Sequence, residues 1–94
     1  MNAIYEYIRK RKAGKVYKTG VIVAINDNDT IKIGWSKCNL KKDEFDPIQG
    51  KKFAIDRAVK VDNTPVPDCI KTQLRRFGAR SVRYFKGAKQ LLLP

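Results

Sequence analysis

The sequence predicts a small α+β domain, in which a twisted antiparallel sheet of three to five strands carries one or two packed helices. Three observations lead to this fold class. Hydrophobic and polar residues alternate in short segments up to residue 38, which is the period of a β-strand. A helix-start pattern stands at residues 46–49, and a second helical pattern begins near residue 68. Closure of the strands into an SH3- or OB-like partial barrel is the alternative arrangement.

The chain of 94 residues has the size of one domain, 1–94. We divide it into a strand meander over 3–38, a helix over about 47–60 and a basic segment over 68–90 that is helical or extended. Hydrophobic residues make up 43 % of the sequence and occur in every segment, so a folded core is expected rather than disorder.

Three strands are predicted in the first part of the chain. Residues 3–10 alternate, and a turn around residues 13–15 separates them from residues 16–25, which are rich in β-branched side chains. The polar residues 26–29 predict a second turn, because Asn and Asp hydrogen-bond to their own backbone there. Residues 30–38 then form the third strand.

Trp35 lies in the third predicted strand, where it shares one face with Ile31 and Ile33. A tryptophan on a sheet can stack on nucleic-acid bases, but this one stands among hydrophobic residues. We therefore predict that Trp35 belongs to the core.

The first helix has a well-marked start. Asp46 suits the N-cap, Pro47 the first helical position and Gln49 the third, which completes a capping box. The helix should end near Lys60, before an extended connection over 63–67. Its expected buried face consists of Ile48, Ala54, Ile55, Ala58 and Val59.

The C-terminal segment allows alternatives. A helix from Asp68 to Phe77 is favoured, with Gly78 just beyond its end. One longer helix through Gly78 is also compatible, at a cost of about 1 kcal/mol for the internal glycine, as is a strand over 81–85. Residues 91–93 are three leucines that either pack back on the core or form a partner surface.

Positive charge is concentrated in two stretches without any acidic residue, one between Tyr7 and Asn26 and one between Cys69 and Pro94. They hold thirteen of the 21 basic residues in a chain of formal net charge +12. Such a surface gains free energy by displacing counterions from a polyanion, so nucleic acid is the predicted partner, DNA more than RNA.

The basic residues become site candidates through their arrangement. In a helix, Arg76, Arg80 and Arg83 would share one face, where each planar guanidinium group can bind phosphate oxygens. Ile70, Leu74, Phe77 and Tyr84 would occupy another face. Tyrosines flanked by charges are candidates for stacking on bases. The predicted nucleic-acid-binding residues are Arg9, Lys10, Arg11, Lys12, Lys15, Lys71, Arg75, Arg76, Arg80, Arg83 and Lys86, with Tyr7, Tyr17 and Tyr84.

Other function classes find little support. The chain has no histidine and no recognisable pair of nucleophile and base, so we predict no enzymatic activity, no metal and no cofactor. Asp43, Glu44 and Asp46 are explained by the cap and dipole of the helix that follows. Cys38 and Cys69 are predicted to be reduced packing residues. Neither a membrane-spanning segment nor a signal peptide is visible, and a cytoplasmic protein is expected.

Four segments carry a resemblance: Ile33-Gly34-Trp35-Ser36-x-Cys38, Asp43-x-Phe45, Gly50-Lys51-Lys52-Phe53-Ala54-Ile55-x-Arg57-Ala58 and Arg83-Tyr84-Phe85-Lys86. They resemble small proteins encoded by tailed bacteriophages, over about a third of the chain. No activity and no site residue comes with the resemblance. It implies expression in a bacterial host cytoplasm during infection, as an accessory protein that acts by binding.

The predicted function is therefore non-catalytic binding of nucleic acid with little sequence preference, through phosphate contacts of the basic patches. Two alternatives stay open. The protein could be an inhibitor or adaptor that binds an acidic surface of a host protein. It could also sequester a small anionic nucleotide, with Arg75, Arg76 or Arg80 as the clamp.

Overall fold

The computed structural model describes residues 2–38, 45–60 and 65–94. Its elements in chain order are β1 (Asn2–Lys12), β2 (Lys15–Asp27), β3 (Thr30–Lys37), α1 (Pro47–Lys60), α2 (Asp68–Tyr84) and β4 (Gln90–Leu92). The α+β class and the three N-terminal strands are confirmed. Asp43 and Glu44, and the first residues of the expected 63–67 connection, lie outside the described residues.

The four strands form one open sheet in the order β1-β2-β3-β4. The pairs β1–β2 and β2–β3 are antiparallel, whereas β4 is parallel to β3. β1 and β4 are the two edges, so the strands do not close into a barrel. The sequence pattern predicts neither β4 nor its direction, because three residues are too few to show a period. Leu91 packs back on the core, in agreement with one of the two alternatives for this segment.

Each face of the sheet is covered by one helix. On one face, hydrophobic residues of β2 and β3 contact α2 in a buried cluster that includes Ile22, Ala24, Ile31, Ile33, Trp35, Ile70, Leu74 and Phe77. On the other, β2 contacts α1 through Val21, Val23, Ile25, Ala54 and Ala58. Trp35 is 7 % exposed, which confirms its place in the core. Burial on both faces explains why the hydrophobic run 21–25 of β2 is uninterrupted.

α1 begins at Pro47, as predicted, with Asp46 as its N-cap. Oδ1 of Asp46 accepts hydrogen bonds from the backbone N–H groups of Ile48 at 2.9 Å and Gln49 at 3.4 Å. These bonds satisfy two of the amide groups that the first turn of a helix leaves unpaired. The end at Lys60 also agrees with the prediction.

The predicted buried face of α1 is confirmed for Ala54 and Ala58 and wrong for Ile48 and Val59. Ile48 is 80 % exposed and Val59 is 46 % exposed, whereas the small residues Ala54 and Ala58 are buried. The reason is a close approach to β3, where a Cβ atom on Gly34 would collide with the carbonyl oxygen of Ala54. Because only small side chains fit between helix and sheet at the closest approach, Ile48 and Val59 lie on the outer side, and Ile55 packs at the edge of the contact.

α2 continues through Gly78 to Tyr84, so the favoured end at Phe77 is wrong and the longer helix is correct. Gly78 is buried, and a Cβ atom there would lie 3.1 Å from Cδ2 of Leu93. The glycine therefore makes room for the C-terminal residues and does not end the helix. Tyr84, which was predicted on the hydrophobic face of the helix, is 63 % exposed, because the buried stripe of α2 ends at Ser81.

Candidate nucleic-acid interface

The first basic stretch forms a hairpin that projects from the body of the protein. We call residues 9–18 the basic arm; they comprise the end of β1, the start of β2 and the turn between them. All ten residues are exposed, and six are cations: Arg9, Lys10, Arg11, Lys12, Lys15 and Lys18. The sequence predicts these cations at a strand end and a turn, whereas in the structure both strands continue as far as that turn.

The backbone of the basic arm is fixed at its tip and at its root. At the tip, Ala13 and Gly14 both have positive φ angles, 52° and 75°, a turn geometry that matches the twist of a two-stranded ribbon. At the root, the pairing register shifts between Ile8 and Arg9, and Oγ1 of Thr19 donates a hydrogen bond to the carbonyl oxygen of Ile8 at 3.3 Å. Such a bulge increases the local twist and sets the direction in which the arm leaves the sheet.

The strand register distributes the cations over both faces of the basic arm. Side chains alternate along each strand, so one face carries Arg9, Arg11 and Lys18, and the other carries Lys10, Lys12, Lys15 and Tyr17. Arg9 stands directly opposite Lys18, and Lys12 stands opposite Lys15. Like charges in directly opposed positions destabilise an antiparallel pair.

No buried side chain compensates for this repulsion within the basic arm. Val16 is 55 % exposed and Tyr17 is 43 % exposed, and a two-stranded hairpin without a buried face is marginally stable in water. Charged residues on exposed strands also protect a sheet edge from aggregation, which is the structural explanation of such lysines. That role does not require six cations without a single counter-charge.

The second basic stretch lies on the outer side of α2. The hydrophobic stripe of α2 is buried against the sheet, whereas the side chains of Arg75, Arg76, Arg80 and Arg83 are exposed. Arg76, Arg80 and Arg83, which we call the helix arginines, are spaced three or four residues apart and share one side of the helix. Lys86 is exposed and follows the end of the helix.

One of the helix arginines has a partner within the protein. Nη1 of Arg80 lies 3.4 Å from Oε1 of Glu6 in β1, and Nε2 of Gln73 donates a hydrogen bond to Oε2 of Glu6 at 3.1 Å. Glu6 therefore fastens α2 to β1 and offsets part of the charge of Arg80. Among the described residues, Arg76 and Arg83 have no ion-pair partner.

Lys71 is paired as well. Its Nζ atom lies 2.8 Å from Oδ1 of Asp68, one turn earlier in α2. The hydrogen bond from Lys71, together with its positive charge, lowers the pKa of the Asp68 carboxyl below its ordinary value of 3.8. The ionised carboxylate of Asp68 offsets part of the charge of Lys71, so Lys71 adds less to the positive field than its charge alone suggests.

The two basic stretches approach each other only where α2 begins. Lys37 pairs with Gly20 beside the root of the basic arm, and its Nζ atom lies 3.0 Å from Sγ of Cys69 in the first turn of α2. After α2, the backbone N–H of Lys89 donates to the carbonyl oxygen of Asp29, in the turn at the other end of the sheet. α2 therefore starts near the basic arm and runs away from it along a molecule 42 Å long.

The predicted stacking residues are also spread out. Nζ of Lys18 lies 4.3 Å from the ring centroid of Tyr7, and Nζ of Lys51 lies 5.8 Å from it, so cations already occupy the surroundings of this ring. Tyr17 is exposed on the basic arm, and Tyr84 is exposed at the far end of α2. These three rings do not form a platform on which successive bases would stack.

Lys18 is a site candidate that the sequence-based selection omitted. In the structure it stands opposite Arg9 and lengthens the charged part of the basic arm. The signal was present, since Lys18 lies in the same acid-free stretch as the selected cations. Extending the predicted strands up to their turn would have paired it with Arg9.

The remaining chemistry of the described residues is sparse. Cys38 and Cys69 do not form a disulfide, and Cys69 is exposed, so its assignment as a packing residue is wrong. It is exposed because its position in the first turn of α2 faces outwards. Within residues 2–38, 45–60 and 65–94, no group of three or more His, Cys, Asp or Glu could hold a metal ion. Neither of the helices described is long and apolar enough to cross a membrane.

Comparisons of the chain with protein-family models, with curated proteins and with solved structures gave no match. A function must therefore be inferred from the charges and geometry of the two basic surfaces.

Proposed function

We propose that this protein binds nucleic acid without catalysis and with little sequence preference, mainly through the basic arm. The observation that carries the proposal is the arm itself, with six cations and no acidic residue on a ribbon in which every residue is exposed. Its like-charged pairs repel one another when the protein is alone. Phosphate groups placed beside them would remove that repulsion, and binding would stabilise the folded arm.

The helix arginines provide a second, weaker contact in this proposal. They lie on a regular surface helix that also supplies the core, and Arg80 is partly neutralised by Glu6. A nucleotide clamp at Arg75, Arg76 and Arg80 is less well supported, because these residues lie on the convex outer side of a single helix and not around a cleft.

The resemblance to phage proteins supports a setting in the cytoplasm of an infected bacterium, where a small accessory protein would meet abundant DNA. Binding by counterion release needs no particular base sequence. An accessory protein of this kind would therefore act on any accessible stretch of nucleic acid.

Salt dependence of binding gives the first test. Fluorescence anisotropy of a labelled DNA duplex measures the association constant over a range of salt concentrations. If about five phosphates are neutralised, the slope of log K against log salt concentration should be near −4.5. A constant affinity between about 50 and 200 mM salt would contradict the proposal.

Neutralising the tip of the arm gives the second, more specific test. The triple substitution Arg11→Gln, Lys12→Gln and Lys15→Gln should weaken binding by more than about tenfold and reduce the salt slope by about 2.7. The matched control replaces Lys52, Lys60 and Lys89 by Gln, which removes the same charge from exposed positions outside the arm. Equal losses in both triple variants would show diffuse attraction and contradict a site on the arm.

The adaptor alternative makes a different prediction. A host protein with an acidic surface would copurify in stoichiometric amount from a nuclease-treated extract, and labelled nucleic acid would not be retained. These two results together would contradict nucleic-acid binding and support the adaptor function.

A further inference from the structure

The basic arm has the shape of a slender two-stranded ribbon. Four residue pairs, from Arg9 with Lys18 to Lys12 with Lys15, lead to the two-residue turn, and none of these residues is buried. At about 3.4 Å per residue, the ribbon extends roughly 15 Å from its root. With side chains on both faces, its thickness is about 10 Å, the usual spacing between packed sheets.

Both faces of this ribbon are positively charged, with three cations on each. A protein surface that lies along one strand of nucleic acid needs cations on the side that it turns towards that strand. A groove of a duplex is different, because a phosphate backbone runs along each of its two walls. A ribbon that enters a groove tip first therefore meets phosphates on both faces, and the charge distribution of the basic arm matches that environment.

Groove dimensions select the kind of duplex. The major groove of B-form DNA is about 12 Å wide and 8.5 Å deep and admits a two-stranded β-ribbon, whereas the minor groove is only about 6 Å wide. The major groove of A-form RNA is deep and too narrow for side chains to enter. Of these three grooves, the major groove of B-form DNA is the one that fits a ribbon about 10 Å thick.

Proteins that bind single strands rely on a different interaction, the stacking of bases on exposed aromatic rings. In the described part of the chain, Tyr7 is already in contact with the ammonium groups of Lys18 and Lys51, and the exposed rings of Tyr17 and Tyr84 lie far apart. The interface thus has the charge of a nucleic-acid-binding surface without the stacking platform of a single-strand binder.

We infer that the ligand is double-stranded B-form DNA and that the basic arm enters its major groove from the tip. The two sets of cations would face opposite phosphate backbones: Arg9, Arg11 and Lys18 on one side, and Lys10, Lys12 and Lys15 on the other. This inference rests on the proposed function and adds to it the form of the nucleic acid and the groove.

The first experiment compares three labelled ligands of one sequence at the same salt concentration: duplex DNA, one of its single strands and duplex RNA. Duplex DNA should bind at least about tenfold more tightly than either of the others, which corresponds to about 1.4 kcal/mol. Competition then identifies the groove. Methyl green, a cation that occupies the major groove, should displace the protein, and netropsin, a cation of the minor groove, should not.

A shortened arm separates shape from charge. Replacing residues 11–16 by Asn-Gly would join Lys10 to Tyr17 through a two-residue turn, with two residue pairs fewer. This variant and the Arg11, Lys12 and Lys15 to Gln triple lose the same three cations, but only the shortened arm loses length. The shortened arm should lose the preference for duplex over single-stranded DNA, and the full-length neutral arm should keep part of it. Circular dichroism should show both variants folded, because the arm contributes no buried residue.

The results of these experiments distinguish entry into the major groove from nucleic-acid binding as such. Equal affinity for duplex and single-stranded DNA, competition by netropsin but not methyl green, or an unchanged preference in the shortened arm would overturn entry into the major groove. The proposed function would stand in each of these cases. Failure to bind any of the three ligands would overturn both.

Discussion

The basic arm and α2 carry similar amounts of positive charge, but they stand in different relations to the fold. α2 buries a stripe of residues that includes Phe77 and Leu74, so its arginines occupy the side that any surface helix turns to water. One of them, Arg80, also helps to hold the helix on β1. The basic arm contributes nothing to the core, and its cations oppose one another across the strands. Charge is most informative about function where the element that bears it has no structural role.

The largest expected effect tests whether α2 contributes to the stability of the fold and the basic arm does not. Phe77 is 1 % exposed and is the largest of the fully buried side chains, so Phe77→Ala should lower the free energy of unfolding by about 3–5 kcal/mol. Arg11→Ala in the basic arm should change it by less than about 0.5 kcal/mol. Urea denaturation followed by circular dichroism measures both. A large loss in the Arg11 variant would show that the arm takes part in the fold.

A smaller effect is expected when the helix arginines are compared with the arm. Replacing Arg76, Arg80 and Arg83 by Gln removes as much charge as the triple substitution in the arm tip. We expect a loss of affinity of only a few fold, because Arg80 is partly neutralised and the helix leads away from the arm. Anisotropy titrations of both variants with one DNA duplex make the measurement. If the helix variant loses more affinity than the arm variant, α2 is the primary contact.

The smallest effect concerns the ion pair that holds α2 on β1. Glu6→Gln removes the ion pair with Arg80, which is a partly exposed pair, and should lower stability by no more than about 1 kcal/mol. The same substitution leaves the guanidinium group of Arg80 without its counter-charge, so the affinity of the protein for DNA should rise slightly. Thermal unfolding and anisotropy on the same sample give both quantities. Unchanged affinity would mean that Arg80 does not reach the nucleic acid.

Local sequence patterns account for much of the fold. The alternation in β1 to β3 and the capping residues Asp46 and Pro47 act over a few positions, and the structure has these elements where they were predicted. The exposure of Ile48 and Val59 in α1 was not predictable in the same way, because it depends on Gly34 in another element. Without a Cβ atom at that position the helix comes close to the sheet, and the contact then selects Ala54 and Ala58 over Ile48 and Val59.

The candidate interface, too, was only partly predictable from the sequence. The cations of the basic arm are visible in the sequence, and so is the turn at Ala13 and Gly14. Their placement on two opposite faces was not predicted, because the predicted strands end at residue 10 and resume at residue 16, which leaves Arg11, Lys12 and Lys15 outside the strands. In α2, the spacing of the arginines was predictable, but the ion pair between Glu6 and Arg80 joins residues far apart in the chain.

The position of the basic arm at one end of an elongated molecule also bears on how the protein meets its partner. At the opposite end of the sheet, Asp27 forms an ion pair with Lys32 at 3.2 Å and Asp29 lies beside Lys89, so a polyanion attracts the arm more strongly than that end. The resulting torque turns the arm towards the polyanion before contact is made. A larger fraction of diffusional encounters therefore leads to binding. The arrangement therefore favours rapid association at low ionic strength, with an on-rate that falls as salt is added.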